Sequence, residues 1–370
     1  MKILIFSTAY LPFIGGAEVS VKELTDRLGD EIHFDLLTTR LSGELPTTEK
    51  IGKVNIYRIG FGIPLLDKLL VPFWGAFKTL SLQRQNHYDA YWCIMATFAS
   101  GAAYIANWFQ KRVPVILTLQ EGDSEEWLRH RWFGLLDLSW RMALKRTQIL
   151  TALSVYLLER GKRLGFKGEG VLVPNGVEVE RFINEHPRPV GDEVVLLTVS
   201  RLVVKNGVED VIRSMAFMPD NFKLKIAGTG FLEKKLRSLV SELKLESRVE
   251  FLGLVSQDEL PALLHSADIF IRPSLSEGQG ISFIEAMAAG LPVIATPVGG
   301  IPDFLKDGET GLMVEPKNPR QIAFQAQKLV SDRVLRDKIT INAKRMVVEK
   351  YDWALIAKEM KERVFAKVEI

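Results

Sequence analysis

Along the whole chain, short apolar runs alternate with segments of helical period, and no other feature restricts the fold as strongly. Residues 2–7, 34–38, 54–59, 90–95 and 113–119 have the length and composition of strands. After the first of them, beyond Pro12, Gly15 and Gly16, the residues Ala17, Val21, Leu24 and Leu28 recur at helical spacing. A further run, 171–174, ends in the turn dipeptide Asn175-Gly176. Strands without an alternating polar face, separated by helices, form βαβ units around a parallel sheet. The rhythm halts at 184–192, which holds Pro187, Pro189 and Gly191, and then restarts with strands at 194–200, 222–227, 248–252, 269–273 and 292–295. Two α/β domains follow, 1–180 and 181–351, and 370 residues suffice for a core in each.

Composition removes other classes. With 47% hydrophobic and 25% charged residues the chain is neither disordered nor collagen-like. Cys93 is the only cysteine, so no intrachain disulfide exists, which fits a reducing compartment. A net charge of +3 leaves no footprint for nucleic acid, and no apolar run reaches the roughly 18 residues of a spanning helix. Met1-Lys2 followed by Ile3–Phe6 superficially resembles a signal peptide, but the glycine pair and amphipathic segment that follow make it a buried strand, and the expected location is cytoplasmic.

The positive charge is concentrated in residues 1–170, at about +4, against about −1 in the rest. Arg129, Arg131, Arg141, Lys145 and Arg146 interleave with Trp127, Trp132, Phe133 and Trp140; a second aromatic-basic stretch runs from Phe61 through Lys68, Phe73, Trp74 and Lys78 to Arg84. Basic amphipathic helices with tryptophan can lie on an anionic membrane surface, which makes such a surface an expected partner. The alternative is a helix that covers the sheet and keeps its cations in water.

The densest chemistry lies between Arg272 and Gly290. A strand ends near Pro273, a loop carries Gly278 and Gly280, and a helix opens near Ile281. The unpaired N–H groups at Gly280, Ile281 and Ser282 and the helix dipole behind them make an anion site, which side-chain-free glycines let a ligand approach. Glu277 stands in the loop and Glu285 about one turn inside the helix. Eight fully helical positions span about 12 Å, wider than the roughly 5–9 Å of a glycosidase carboxylate pair. The spacing suits hydroxyl recognition at two ends of an elongated ligand with phosphates between, as in a nucleotide sugar; either glutamate could instead be a solvated or capping carboxylate. Arg201 and Lys205 follow the first strand of the second domain and can neutralise a leaving diphosphate, unless they are plain surface cations. Gly15-Gly16 holds a matching place in the first domain, without a complete Gly-x-Gly-x-x-Gly fingerprint. No Asp-x-Asp occurs and the five histidines are scattered, so side-chain cations are favoured over a metal.

These residues together resemble the retaining GT-B glycosyltransferases of family 4. The resemblance runs almost end to end: Gly15-Gly16, Val173-Pro174-Asn175-Gly176-Val177, Ser200-Arg201-Leu202 with Lys205, Ala227-Gly228-Thr229-Gly230, and above all Pro273-Ser274, Glu277-Gly278, Gly280 and Glu285-Ala286-Met287-Ala288-Ala289-Gly290. It implies two Rossmann-like domains facing across a cleft, the first for acceptor and the second for donor, with a C-terminal helix, 352–370, crossing back to the first domain. Glu285 would bind the donor ribose and Glu277 would sit beside the donor sugar. Arg201 and Lys205 would hold the diphosphate, aided by N–H groups at Gly280–Ser282 and by Gly15-Gly16 as the cleft closes. The expected reaction is metal- and cofactor-free transfer of a hexose from a nucleoside-diphosphate sugar to a saccharide or lipid-linked acceptor, by front-face attack with retention. Where family members often carry a histidine, after the strand at 113–119, this chain has Gln120, which can donate a hydrogen bond to a sugar hydroxyl but cannot shuttle a proton. A sugar-nucleotide epimerase, or a binding protein without transfer, are the alternatives. An enzyme of this kind would work in the cytoplasm, peripherally on the inner face of the membrane if its acceptor is lipid-linked.

Overall fold

A computed structural model of the chain describes residues 1–13, 15–110, 113–123, 135–183 and 191–368. The chain divides into two compact units, Met1–Asn175 with Trp353–Ile370, and Gly176–Asp352.

The first unit carries a sheet of β1 (Lys2–Phe6), β2 (His33–Thr39), β3 (Thr48–Ile51), β4 (Val54–Ile59), β5 (Ala90–Ile94), β6 (Val115–Leu119), β7 (Ile149–Ala152) and β8 (Val171–Leu172), in the order β3-β4-β2-β1-β5-β6-β7-β8. Every neighbouring pair is parallel except β3 with β4. The central strand is β1, where Ile5 pairs with Leu36 on one side and Trp92 on the other. Ile3, Leu4, Ile5 and Phe6 are all fully buried, which is why this run is uniformly apolar. Helices α1 (Gly16–Leu28), α2 (Pro64–Asn86), α3 (Phe98–Phe109), α4 (Leu135–Arg146) and α5 (Val155–Arg163) are the crossovers. The strand β3 was not expected: its sequence Thr-Glu-Lys-Ile is polar because it lies on the sheet edge, half in water, paired to β4.

In the second unit β9 (Val194–Val199), β10 (Phe222–Ala227), β11 (Val249–Gly253), β12 (Ile269–Arg272), β13 (Val293–Ala295) and β14 (Leu312–Met313) form a fully parallel sheet in the order β11-β10-β9-β12-β13-β14. Its helices are α6 (Val179–Phe182), α7 (Val208–Ser214), α8 (Glu233–Glu242), α9 (Leu260–His265), α10 (Ile281–Ala288), α11 (Pro319–Ser331) and α12 (Arg333–Lys350). The proline-rich stretch 184–190 lies outside the described residues. The division falls ahead of it, at Asn175/Gly176 rather than 180, because Val177, Val179 and Phe182 are buried in the core formed by Phe270, Ile284 and Phe304.

The chain returns to the first unit at α13 (Trp353–Arg363), which packs along α1. Just beyond it, Phe365 is buried between Phe34 and Trp92, at ring separations of 6.1 and 5.5 Å. Phe365→Ala removes both contacts and is expected to lower unfolding stability by about 3–5 kcal/mol. Denaturant unfolding of the full chain measures this, and a change below 1 kcal/mol would mean that the returning segment is dispensable.

One aromatic-basic stretch changes meaning. Residues 124–134, with Trp127 and Arg131, lie outside the described residues. In α4, however, Trp140, Ala143 and Leu144 point into the core, the Trp140 ring lies 4.9 Å from the buried Arg160 guanidinium, and Arg141 pairs with Asp137 on its own helix. The described part of this stretch therefore covers the sheet, and Trp140 has no face to offer a lipid.

Candidate active site

In an open parallel sheet, loops from two strands diverge where the strand order reverses, and ligands bind at the carboxyl ends there. The reversal in the second unit lies between β9 and β12. After β9 the chain passes Arg201, enters a single turn over Val204–Asn206 and opens α7 at Gly207. Beyond β12 it passes 273–280 and enters α10. Gly207, at φ +69°, brings these loops together: a Cβ there would lie 2.1 Å from the Pro273 carbonyl oxygen. The Leu275 N–H donates to the Lys205 carbonyl at 2.7 Å, and Asn206 Nδ2 donates to the Arg201 carbonyl at 2.7 Å. The stretches holding Arg201, Lys205 and Glu277 thus meet, with the Arg201 side chain exposed and Lys205 half-buried.

Arg272, the last residue of β12, organises this junction. Its guanidinium is buried, donates from Nη1 to Ser282 Oγ at 2.9 Å and from Nη2 to Asn206 Oδ1 at 3.1 Å, and forms an ion pair with Glu277. The Phe283 ring lies 5.1 Å from it. The other Glu277 oxygen accepts from the Gly278 N–H at 3.1 Å, and the Glu277 carbonyl accepts from the Gly300 N–H at 3.2 Å. Glu277 is therefore pinned at side chain and backbone. Gly280 caps α10 at φ +82°, where a Cβ would press on the Phe283 ring and the Glu277 carboxyl. The first N–H groups of α10, at Ile281 and Ser282, begin at that point.

Glu285 lies deeper on α10 and is 6% exposed. Burial pushes its carboxyl up to about 7, against the positive fields of Arg181 and Arg272. No described group hydrogen-bonds this carboxylate. The hydroxyls of Ser200 and Ser274, on the two loops, are likewise buried without partners. Buried polar groups without partners are uncommon, which makes these two hydroxyls candidates for ligand contact.

The corresponding reversal in the first unit lies between β1 and β5. There Thr8 Oγ1 donates to Thr97 Oγ1 at 2.8 Å, and the Glu121 carboxylate accepts the N–H groups of Ala96 (2.9 Å) and Gln120 (3.1 Å). Desolvation raises Glu121 to about 7. Met95, at φ +61°, joins β5 to this junction in a conformation rare outside glycine. Gln120 Nε2 is buried and unpartnered. Gly15 caps α1 in an extended conformation, and a Cβ on Gly16 would meet open space. No positioning role was read from sequence for Arg272, Asn206 or Glu121. The available signal for Arg272 was a cation ending the otherwise apolar run Ile269-Phe270-Ile271.

Residues 14–181 match the family described as Glycosyltransferase Family 4, and residues 179–346 match Glycosyl transferases group 1. An uncharacterized glycosyltransferase of Methanocaldococcus jannaschii is 31% identical, over 97% of this chain and 96% of its own. The chain is a family 4 glycosyltransferase. The glycosyltransferase has the GT-B fold: sucrose-phosphate synthase from Thermosynechococcus elongatus superimposes with a TM-score of 0.87 at 21% identity, covering 99% of each chain. Anabaena HepE, solved in complex with UDP-glucose, superimposes at 0.78 with 20% identity, covering 99% of this chain and all of its own. Among the described residues of the glycosyltransferase, no group of three histidine, cysteine, aspartate or glutamate side chains could hold a metal.

Two outcomes are expected. Arg272→Leu leaves the Glu277 carboxyl buried without its cation, at a loss of about 3–5 kcal/mol, whereas Arg272→Leu/Glu277→Leu recovers most of it; equal stability of the single and double variants would mean that the pair carries no such coupling. The second concerns pH. A carboxyl near 4.5 when unfolded and about 7 when folded keeps its proton longer in the folded state, so stability falls as pH rises from 4.5 through 7. Glu285→Gln removes its share of that decline, on the order of 2 kcal/mol. Melting curves between pH 5 and pH 8 should therefore slope less in the variant, and parallel slopes would contradict the assignment.

Proposed function

We propose that this glycosyltransferase moves a hexose from a nucleoside-diphosphate sugar to a saccharide or lipid-linked acceptor, with retention of configuration and without a metal. The observation that carries the reading is Glu285: a buried carboxylate with no described hydrogen-bond donor, in the positive field of the Arg272 that pairs with Glu277, with two orphaned serine hydroxyls on the switch-point loops. Such a carboxylate suits a pair of ribose hydroxyls, to which it is a double acceptor. Glu277, paired with Arg272, presents carboxylate oxygens that accept, which suits donor-sugar hydroxyls. Arg201 and Lys205, with the N–H groups at Gly280, Ile281 and Ser282, neutralise the diphosphate. Gly278 leaves room for the ligand beside Glu277.

In the front-face reaction the bond from the anomeric carbon to the diphosphate oxygen breaks as the acceptor oxygen attacks from the same side. The acceptor proton passes to the departing phosphate. No protein nucleophile is required, and the chemistry depends on stabilising the leaving diphosphate. Gln120 donates to a sugar hydroxyl and takes no part in proton transfer. Metal independence rests on Arg201 and Lys205 and on the lack of Asp-x-Asp in the sequence. A lipid-linked acceptor places the enzyme in the cytoplasm, at the inner face of the membrane.

Thermal unfolding with UDP, GDP, ADP and NAD, each with and without chelator, tests the donor site. One nucleoside diphosphate at about 100 times its dissociation constant should stabilise by about 2.7 kcal/mol, and chelator should leave the shift unchanged. UDP is the first candidate, because HepE was solved with UDP-glucose. A response to NAD alone, or to none, would overturn the reading. Lys205→Ala should lower kcat about 100-fold or more with little effect on stability. Glu285→Gln should weaken nucleotide binding about 10- to 100-fold. Near-normal kinetics in both variants would refute the site.

A further inference from the structure

At the switch point of the first unit, a side chain takes over where the strand ladder ends. The last pairing of β5 with β6 joins Ile94 to Thr118, and the Met95 N–H still donates to the Thr118 carbonyl at 2.9 Å. Met95 then turns the chain out of the sheet. Its carbonyl closes that turn by accepting the Thr97 N–H at 2.9 Å and the Ser100 hydroxyl at 2.6 Å. Just past the turn, the Ala96 N–H donates to one oxygen of Glu121 at 2.9 Å, while the other oxygen accepts the Gln120 N–H at 3.1 Å. One carboxylate thereby ties the end of β5 to the first residue beyond β6.

A second tie holds the same stretch two residues on. Arg160, fully buried on α5 with its guanidinium 4.9 Å from the Trp140 ring, donates from Nη1 to the Asp123 carbonyl at 2.7 Å. Residues 120–123 are thus fastened to β5 at one end and to α5 at the other. Between these fixed backbone groups Gln120 is half-buried, and its Nε2 is the atom with no partner.

A donor contributes to a transition state only as far as it is already in place, and a displacement of about 1 Å costs on the order of 100-fold in rate. A loop glutamine without such ties would spend conformational freedom on each contact. A carboxylate is a strong acceptor for two backbone N–H groups at once, which suits it to this task. We propose that Glu121 is a positioning residue of the transfer site: by clamping the N–H groups of Ala96 and Gln120 it fixes the Gln120 amide for its contact with a sugar hydroxyl. The proposal rests on the reading of Gln120 given above, whereas the clamp itself does not.

Release of UDP from UDP-glucose, or of GDP from GDP-mannose, by the full chain with water as acceptor tests this role. Water attacks the anomeric carbon, the bond to the diphosphate oxygen breaks, and the proton passes to the departing diphosphate. Gln120→Ala and Glu121→Ala should each lower kcat about 10- to 100-fold, with donor KM and the nucleotide-induced melting shift little changed. A residue that acts only through Gln120 adds nothing once that side chain is gone, so the double variant should match Gln120→Ala within about twofold. Glu121→Gln turns an NH2 toward one of the two N–H groups and should lose at least about threefold in kcat; the same cycle run with it covers an alanine variant that does not fold. Losses that multiply in the double variant, or wild-type kcat in Glu121→Gln, would overturn the proposal.

Amide hydrogen exchange tests the clamp without turnover. In Glu121→Gln the amides of Ala96 and Gln120 should exchange at least about tenfold faster, while that of Met95 stays protected by the ladder. Unchanged exchange at both positions would overturn the clamp. No release from either donor by the wild-type chain would overturn the sugar contact of Gln120 and the role of Glu121 with it. The nucleotide-induced shift decides the donor reading separately: a shift without release leaves the donor site standing, and release with multiplying losses leaves the transferase reading standing and rejects the positioning role.

Discussion

Arg272 shares one buried charge among three stretches of chain: the turn holding Asn206, the loop holding Glu277, and the first turn of α10 at Ser282. Taking a guanidinium and a carboxylate out of water costs several kcal/mol per ion, and their mutual attraction offsets this only with good geometry and further hydrogen bonds. Those further bonds are what fix the loops. A hydrophobic residue at position 272 could fill the space but could not orient Glu277 or tie it to Asn206. The arrangement of the candidate donor site therefore depends on a pair whose net contribution to stability is small.

The sheets explain why such a junction can exist. Parallel strands send all their carboxyl ends to one edge, and the reversal of strand order lets two loops part there. Both units repeat this plan, at β9/β12 and β1/β5, yet use carboxylates differently. Glu277 is held by a cation, whereas burial raises Glu285 and Glu121 toward neutrality. Glu121 is committed to two backbone N–H groups and braces the strand ends around Gln120. Glu285 has no comparable commitment, and its environment favours a ligand that brings donors with it.

Two stretches with the same aromatic-basic composition have opposite fates. In α4 the tryptophan at 140 turns inward against Arg160, while on α2 Phe73, Trp74 and Phe77 turn outward. Composition alone cannot separate these cases. The difference lies in which helical face meets the sheet, and on α2 that face is the small one, with Gly75, Ala76 and Thr79.

Much of the fold was legible because parallel strands are apolar on both faces and helices keep a 3.6-residue period, so the βαβ rhythm appears directly in the residues. The start of α10 beside Gly280 and the placement of Glu277 and Glu285 around it were readable for the same local reason. The edge strand β3 was hidden by its polarity. The division at Asn175/Gly176 was hidden because Val177, Val179 and Phe182 look like any short apolar segment until Phe270 and Ile284 receive them. Arg272, Asn206 and Glu121 became visible only in three dimensions. Their partners lie far along the chain, Asn206 being 66 positions from Arg272, and no periodicity encodes a contact of that range. Local pattern determined the elements and the motif residues. Tertiary packing decided which charge is paired, which carboxylate is left without a described donor and which hydrophobic face stays in water, because each of these depends on the neighbour that folding brings.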